Sequence, residues 1–383
     1  MVRILDWKRS DDTRDVVHMV VQALVEGRLV LVPSETSYLL LASGLCETAI
    51  EKLMAFPGRL TERQPSLLLR SSGEVHDYLP QLSRVGQRIA DRGWPGPLAM
   101  ESEVDCASSL CGRLPASVRR HLLRGERWLT LQIPAHNAIA SALQLLPGPV
   151  VAVPLGNESG HPLVDPLLNP AQQSCDSLAY LVDDGPTHFG GLHSTVNVSQ
   201  RECRMASPGV LDQSALVGLS QLVILMVCTG NTCRSPMAET LLRAQLGERF
   251  RDAFGPGQPP PIVAVSAGLS AYLGSAASPE AVTVMQGRGL NLKDHQSRPL
   301  TPRLVRHADM ILTMTASHRH AILQRWPEAT RRVFVLSNSS RDVADPYGGP
   351  THAYAACADE IENYLKPWVS SIDETWLPDW VKP

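Results

Sequence analysis

The 383-residue chain is short of aromatics, of surplus charge, of regularly spaced cysteines and of long apolar runs. Each shortage excludes something. Phe, Trp and Tyr make up 5% of the residues, and no stacking platform for single-stranded nucleic acid stands out. Lys and Arg number 35 against 38 Asp and Glu, a formal net charge of −3, so there is no basic excess for a polyanion. Strong nucleic-acid binding is not expected. The 8 cysteines follow no disulfide-framework spacing, which fits a reducing compartment. Apolar stretches such as residues 143–155 are broken by prolines and are too short to span a bilayer. The opening residues, Met1 to Arg9, show neither a long apolar core nor a small-residue cleavage site. A cytoplasmic protein without membrane association is the expectation. The length exceeds one typical core, so two domains are expected.

Against this background one segment stands out: Val227-Cys228-Thr229-Gly230-Asn231-Thr232-Cys233-Arg234-Ser235-Pro236. It follows an apolar run, residues 222–227, and precedes Met237, Ala238, Leu241, Leu242 and Leu246 at helical spacing. A strand, a Cys-x5-Arg loop and a helix are what displacement at phosphorus by sulfur requires. Loop N–H groups and the positive end of the helix dipole can surround a phosphoryl group, and the same field favours a thiolate. Arg234 offers a planar fork for two phosphate oxygens. Gly230 and Asn231 are residue types that tolerate positive φ. Ser235 can donate its hydroxyl to the sulfur. Pro236 sits near the first helical position, where its missing N–H costs nothing, and Gly247 suits the helix stop. No Gly-Lys-Ser/Thr follows, so this is not a Walker loop. No second Cys/His pair lies at ligand spacing, so Cys228 and Cys233 are not read as a zinc pair. Neither metal nor cofactor is expected. Cys233 has two readings, a space-filling side chain under the loop or a thiol that traps oxidised Cys228.

Downstream, strands alternate with helices. Strands are expected at 262–265, 308–314 and 333–336, and helices at 279–285, 302–307, 316–326 and 352–368. This alternation predicts an α/β domain with a parallel sheet covered on both faces. The cysteine loop then lies at a strand's carboxyl end, where open α/β sheets hold ligands. Asp342-Val343-Ala344-Asp345-Pro346-Tyr347-Gly348-Gly349 reads as a loop able to carry an acid over a pocket, since thiolate attack expels a poor leaving group that needs a proton. His318 and His352 lack such support and are read as surface histidines. Residues 255–261, rich in Gly and Pro, read as a loop.

From about Leu222 onward the chain resembles the low-molecular-weight protein phosphatases. The resemblance rests on the cysteine loop, on Ser266-Ala267-Gly268, on the 308–314 strand and on the Asp345-Pro346-Tyr347 loop. It implies a flavodoxin-like sheet, Cys228 as nucleophile, Arg234 as transition-state clamp and Asp345 as general acid. Thr229, Gly230, Asn231, Thr232, Cys233 and Ser235 would complete the phosphate-binding loop, and Thr232 and Tyr347 would face the substrate. Tyrosine-directed members carry a bulky aliphatic residue where this chain has Thr232. The loop Cys-Thr-Gly-Asn-Thr-Cys-Arg-Ser-Pro-Met-Ala-Glu resembles the branch acting on protein phosphoarginine. Tyr347-Gly348-Gly349, with one aromatic, implies a less aromatic pocket wall. A phosphorylated protein is the expected substrate, with phosphoarginine preferred and phosphotyrosine the alternative.

The first half has its own α/β pattern, with strands expected at 29–33, 66–69, 128–133, 150–153 and 194–198 and a helix over 47–54. Pro33-Ser34-Glu35-Thr36-Ser37-Tyr38, Trp94-Pro95-Gly96-Pro97-Leu98, Leu155-Gly156-Asn157-Glu158-Ser159-Gly160 and Ser194-Thr195-Val196 follow in that order. By these segments this half resembles the YrdC-like family, the threonylcarbamoyl-AMP synthases. The family's Lys-x-Arg becomes Pro57-Gly58-Arg59 and its Ser-x-Asn becomes Leu155-Gly156-Asn157. Two expected arginines are Gln132 and Ser207. Each lost charge-assisted hydrogen bond is worth about 1.5–3 kcal/mol. The expectation is a YrdC-like α/β domain over 1–210 with little synthase activity, keeping Arg59, Asn157, Ser194 and Thr195 as a residual nucleotide site. It would bind another small molecule or act as a scaffold. A bifunctional enzyme that still makes threonylcarbamoyl-AMP for tRNA modification is the alternative. A short connector, 211–221, leads to the phosphatase-like domain over 222–383.

Overall fold

The computed structural model describes residues 2–60, 62–155, 177–199, 203–251, 261–337 and 341–377. Asn157 and most of the expected loop at 255–261 lie outside them. The chain divides into two compact units between Leu219 and Ser220. The connector expected at 211–221 is largely a helix, Gln213–Ser220.

The first unit is built on a mixed sheet. Its strands run in the order Arg3–Asp6, Leu178–Asp183, Leu29–Pro33, Tyr38–Ser43, Val150–Pro154, Ser66–Leu68, Trp128–Gln132, Leu98–Glu103, Ser194–Val198, Cys203–Ser207. The apolar face of the Thr13–Val25 helix (Val16, Val17, Val20, Leu24) and that of Asn137–Leu145 pack on Val30, Val32, Leu39 and Leu41. The Tyr38–Ser43 strand had no counterpart in the sequence reading because it is buried on both faces and lacks alternation. It pairs antiparallel with Leu29–Pro33 through the Ser34–Ser37 turn, in which Ser34 Oγ donates to the Ser37 carbonyl.

The second unit is a four-stranded parallel sheet in the order Ile262–Gly268, Leu222–Cys228, Met310–Thr313, Val333–Val335. The first strand in sequence is therefore interior, flanked by the second and third. That reversal of strand order opens a crevice at the carboxyl edge, and Cys228 ends the strand at the crevice. Helices Arg234–Arg249, Pro279–Gly287 and Thr351–Ser371 cover one face, where Met237, Leu241, Met285, Tyr354 and Ile361 join Ile224, Met226 and Leu312 in one cluster. Pro302–His307 and Ala316–Arg325 cover the other, with Val305 and Ile322 against Leu225, Val227 and Ile311. Alternate residues of the Leu222–Cys228 strand thus feed opposite cores, as a doubly covered strand must. Gly247 does not stop the first helix, which runs on to Arg249; a Cβ at Gly247 would meet open space. Among the described residues no helix is long and apolar enough to cross a membrane.

Candidate active site

The Cys228–Arg234 loop curls over the end of its strand as a cradle. Asn231 has φ of 56°, the left-handed conformation that asparagine tolerates. Gly230 does not adopt positive φ, and a Cβ there would meet Thr232 Oγ1 at an ordinary 3.6 Å, so the turn rests on Asn231 alone of the pair. Its buried side chain is fully engaged. Nδ2 donates to Ser235 Oγ and Ser266 Oγ, both at 2.9 Å, and Oδ1 accepts from Arg298 N–H at 2.9 Å. The Asn231 carbonyl faces His295 Nε2 at 2.8 Å. Gly268 on the neighbouring strand makes room, since a Cβ there would lie 2.5 Å from the Thr229 carbonyl oxygen.

Cys228 Sγ lies 2.9 Å from Ser235 Oγ and accepts from Asn231 N–H at 3.3 Å. Cys233 is the N-cap of the Arg234–Arg249 helix, so the helix's free N–H groups open directly into the cradle. Pro236, third in that helix, removes an N–H that has no intrahelical partner. Cys233 Sγ lies 3.3 Å from Ser278 Oγ, 3.6 Å from Thr232 Oγ1 and 3.7 Å from the buried Tyr354 hydroxyl. Both thiols are free.

Arg234 is 6% exposed. Its guanidinium donates to the Val343 carbonyl at 3.3 Å and pairs with the Asp345 carboxylate at 2.5 Å. The residue read as phosphate clamp and the residue read as acid therefore hold one another across the pocket mouth. A phosphoryl group in the cradle would meet the same guanidinium that holds Asp345. A cavity of about 340 Å³ is lined by Cys228, Thr229, Gly230, Thr232, Cys233 and Arg234 on the cradle side and by Asp345 and Tyr347 from the acid loop. Ser270, Tyr272 and Ser275 complete it. Tyr272 and Tyr347 are 85% and 76% exposed. The pocket wall is thus more aromatic than the single Tyr347 implied, because Tyr272 arrives from a loop that carries no motif.

His318 corrects another expectation. It is 6% exposed rather than on the surface, with Nε2 2.9 Å from Thr229 Oγ1. Burial first, and then the Arg234 guanidinium, push its pKa down to about 4. His352 is exposed, as expected. Ser266 and His295 were also missed as supports of Asn231. The one available signal was Ser266, a hydroxyl in the otherwise apolar run Ile-Val-Ala-Val-Ser-Ala-Gly.

In the first unit, Arg59, Ser194 and Thr195 are the described residues of the expected residual nucleotide site. Ser194 is buried and clamps the backbone of Leu211, donating to its carbonyl at 2.8 Å and accepting from its N–H at 2.9 Å. Arg59 donates to the Met54 carbonyl. Thr195 accepts from Arg63 at 3.3 Å and lines a cavity of about 410 Å³ with Arg63, Arg124, His193, Arg204 and Ser207. Arg124 is held there by a bidentate pair with Glu101. Gln132, at a position where an arginine was expected, is wholly buried with Nε2 unpaired.

Comparison with known proteins gives the class. The family model for low molecular weight phosphotyrosine protein phosphatase matches residues 223–376. The YrdC-like model, described as telomere recombination, matches residues 22–206. A probable low-molecular-weight protein-tyrosine-phosphatase, EpsP, of Ralstonia nicotianae is 37% identical over 150 residues, covering 39% of this chain and 94% of that one. A protein-arginine-phosphatase of Geobacillus stearothermophilus is 39% identical over 146 residues, covering 37% and 90%. The low-molecular-weight protein-tyrosine-phosphatase Wzb of Salmonella typhi is 35% identical over 152 residues, covering 39% and 93%. The chain belongs to the low-molecular-weight protein phosphatase family and carries a YrdC-like domain ahead of its phosphatase domain. It is a cysteine-based phosphatase, a hydrolase whose relatives divide between tyrosine and arginine enzymes.

Proposed function

We propose that the phosphatase domain hydrolyses phosphoarginine on proteins through a phosphocysteine at Cys228. The observation that carries this reading is the convergence of Cys228, Arg234 and Asp345 on one cavity whose wall holds Thr232. In the first step the Cys228 thiolate attacks phosphorus and the P–N bond breaks. Asp345 gives its proton to the departing guanidine nitrogen. Arg234 and the cradle N–H groups hold the phosphoryl oxygens as charge spreads over them. In the second step the Asp345 carboxylate takes a proton from a water, which attacks phosphorus. The S–P bond then breaks, and the Ser235 hydroxyl beside the sulfur stabilises the leaving thiolate. Phosphate and a free arginine side chain result.

Thr232 supports arginine over tyrosine because it brings a hydroxyl where an aromatic ring would gain from alkyl contact. The alkyl loss is modest, about 0.8 kcal/mol per CH2. Tyr272 and Tyr347 flank the mouth and favour the second reading, phosphotyrosine, through ring contacts. The same two rings also suit a guanidinium, which stacks on aromatic faces, so they do not argue against arginine. A phosphorylated protein is the partner this reading requires, in a cytoplasm reducing enough to keep the thiol free.

The test of the chemistry is turnover of 4-nitrophenyl phosphate in the presence of a chelator. Cys228→Ser and Arg234→Ala should each lose at least about 100-fold in kcat/KM. Acid-quenched wild type should yield a phosphorylated Cys228 peptide. Retained turnover in either variant would remove the mechanism.

A further inference from the structure

One short segment, residues 314–318, touches both loops of the site. Met314 N–H donates to the Val227 carbonyl at 3.0 Å, and the Met314 carbonyl accepts from Val343 N–H at 2.8 Å. Two residues on, Ala316 N–H donates to the Asp342 carboxylate at 2.7 Å. One helical turn from Met314, His318 meets Thr229 Oγ1. Val227 and Thr229 bracket the nucleophile, while Asp342 and Val343 lie three and two residues before the acid. The segment therefore holds the acid loop twice, and holds the nucleophile both at its strand end, through backbone, and in its loop, through a side chain.

His318 has no other evident reason to be there. Its Nδ1 is buried without a hydrogen-bond partner. An imidazole with one idle nitrogen costs free energy that an apolar residue of like size would not. The Thr229 bond is what the structure gains from it.

We propose that residues 314–318 form a bracket that sets the register of Asp345 against the nucleophile loop, with His318 and Asp342 as its side-chain arms. The proposal rests on Asp345 being the acid of the preceding reading. Asp345 is half exposed and tied directly to Arg234. If a phosphoryl group draws the Arg234 fork from Asp345, the anchors at Val343 and Asp342 would keep the carboxyl in reach of the leaving atom. Misplacing a reacting group by about 1 Å can cost roughly 100-fold. His318 touches Thr229 and not substrate, so it is a positioning residue.

The experiment is kcat/KM for aryl phosphates whose leaving groups differ in basicity. 4-Nitrophenol leaves with little help, whereas phenol needs a proton. With His318→Ala or Asp342→Ala, phenyl phosphate should lose about 10-fold or more and 4-nitrophenyl phosphate less than about threefold. His318→Gln, whose amide can bond the Thr229 hydroxyl in either sense, should recover most of the phenyl phosphate rate. Because both arms serve one register, the double variant should lose little beyond the worse single one. An equal loss across leaving groups in both single variants, or no loss, overturns the bracket. If His318→Ala fails to fold, Asp342→Ala decides alone, since Asp342 is exposed. Asp345→Asn in the same series separates the two ideas. If it shows no dependence on leaving group, the acid assignment fails rather than the bracket.

Discussion

His318 sits near Arg234, Asp342 and Asp345, with a pKa pushed down from 6.5 to about 4, mainly by burial and then by Arg234. The sign of the consequence follows from linkage. The neutral ring is the folded form. As pH falls through 6.5 the unfolded chain takes up a proton that the folded chain still refuses, so stability drops until about pH 4. His193 in the first unit is buried completely, with a pKa likewise lowered to about 4, and adds a second slope over the same range. Scanning calorimetry between pH 7 and 4.5 should find that His318→Gln loses less melting temperature on acidification than the wild type does. Identical pH slopes would mean that His318 is not held neutral. Nothing in the sequence around His318 marks it, because its burial depends on a cradle 89 positions earlier in the chain. The cradle residues themselves were legible, since thiol, guanidinium and hydroxyl stand in one short run whose chemistry is local.

At the scale of elements, the strands and helices that position the site were readable where the pattern was local. The Leu222–Cys228 strand was visible as an apolar run into a turn, and the following helix as apolar residues at helical spacing. Pro302–His307 and Glu47–Met54 carry starts and apolar periods of their own. The helix end at Arg249 was misjudged because Gly247 is merely tolerated inside the last turn, with no positive φ to mark a stop. The turn at Asn231 was also half misread. Its conformation is enforced by Ser266, Arg298 and His295 on other elements, and a lone Gly-Asn pair does not say which residue takes the strain. The pairing of Arg234 with Asp345, 111 positions apart, could not be read from spacing at all. Tyr272 reaches the pocket from a loop beside Gly268, and only the fold brings it there.

At the scale of the whole molecule, the chain joins a phosphatase with an intact cradle to a YrdC-like domain whose expected cations are missing. Leu155 and Gln132 are buried neutral residues where the family resemblance led us to expect polar or cationic groups. Ser194 is spent on the Leu211 backbone. The cavity keeps Arg63, already donating to the Pro208 carbonyl and to Thr195, Arg124, already paired with Glu101, and Arg204. With Arg63 and Arg124 engaged, and Gln132 and Ser207 where arginines are expected, little synthase activity is expected. Incubation of the full chain with ATP, threonine and bicarbonate should release no pyrophosphate above a boiled control. Steady pyrophosphate release would restore the bifunctional reading.

Thr232 puts the choice between phosphoarginine and phosphotyrosine at one position of the pocket wall. The most direct test is kcat/KM on phosphoarginine and phosphotyrosine peptides of matched sequence, because discrimination between substrates lives in that ratio. The wild type should favour phosphoarginine, and Thr232→Ile should move the ratio toward phosphotyrosine by about 10-fold, the scale of one or two apolar groups gained against a ring and a hydroxyl lost. A wild type that favours phosphotyrosine, with a ratio unmoved by Thr232→Ile, would contradict the arginine assignment.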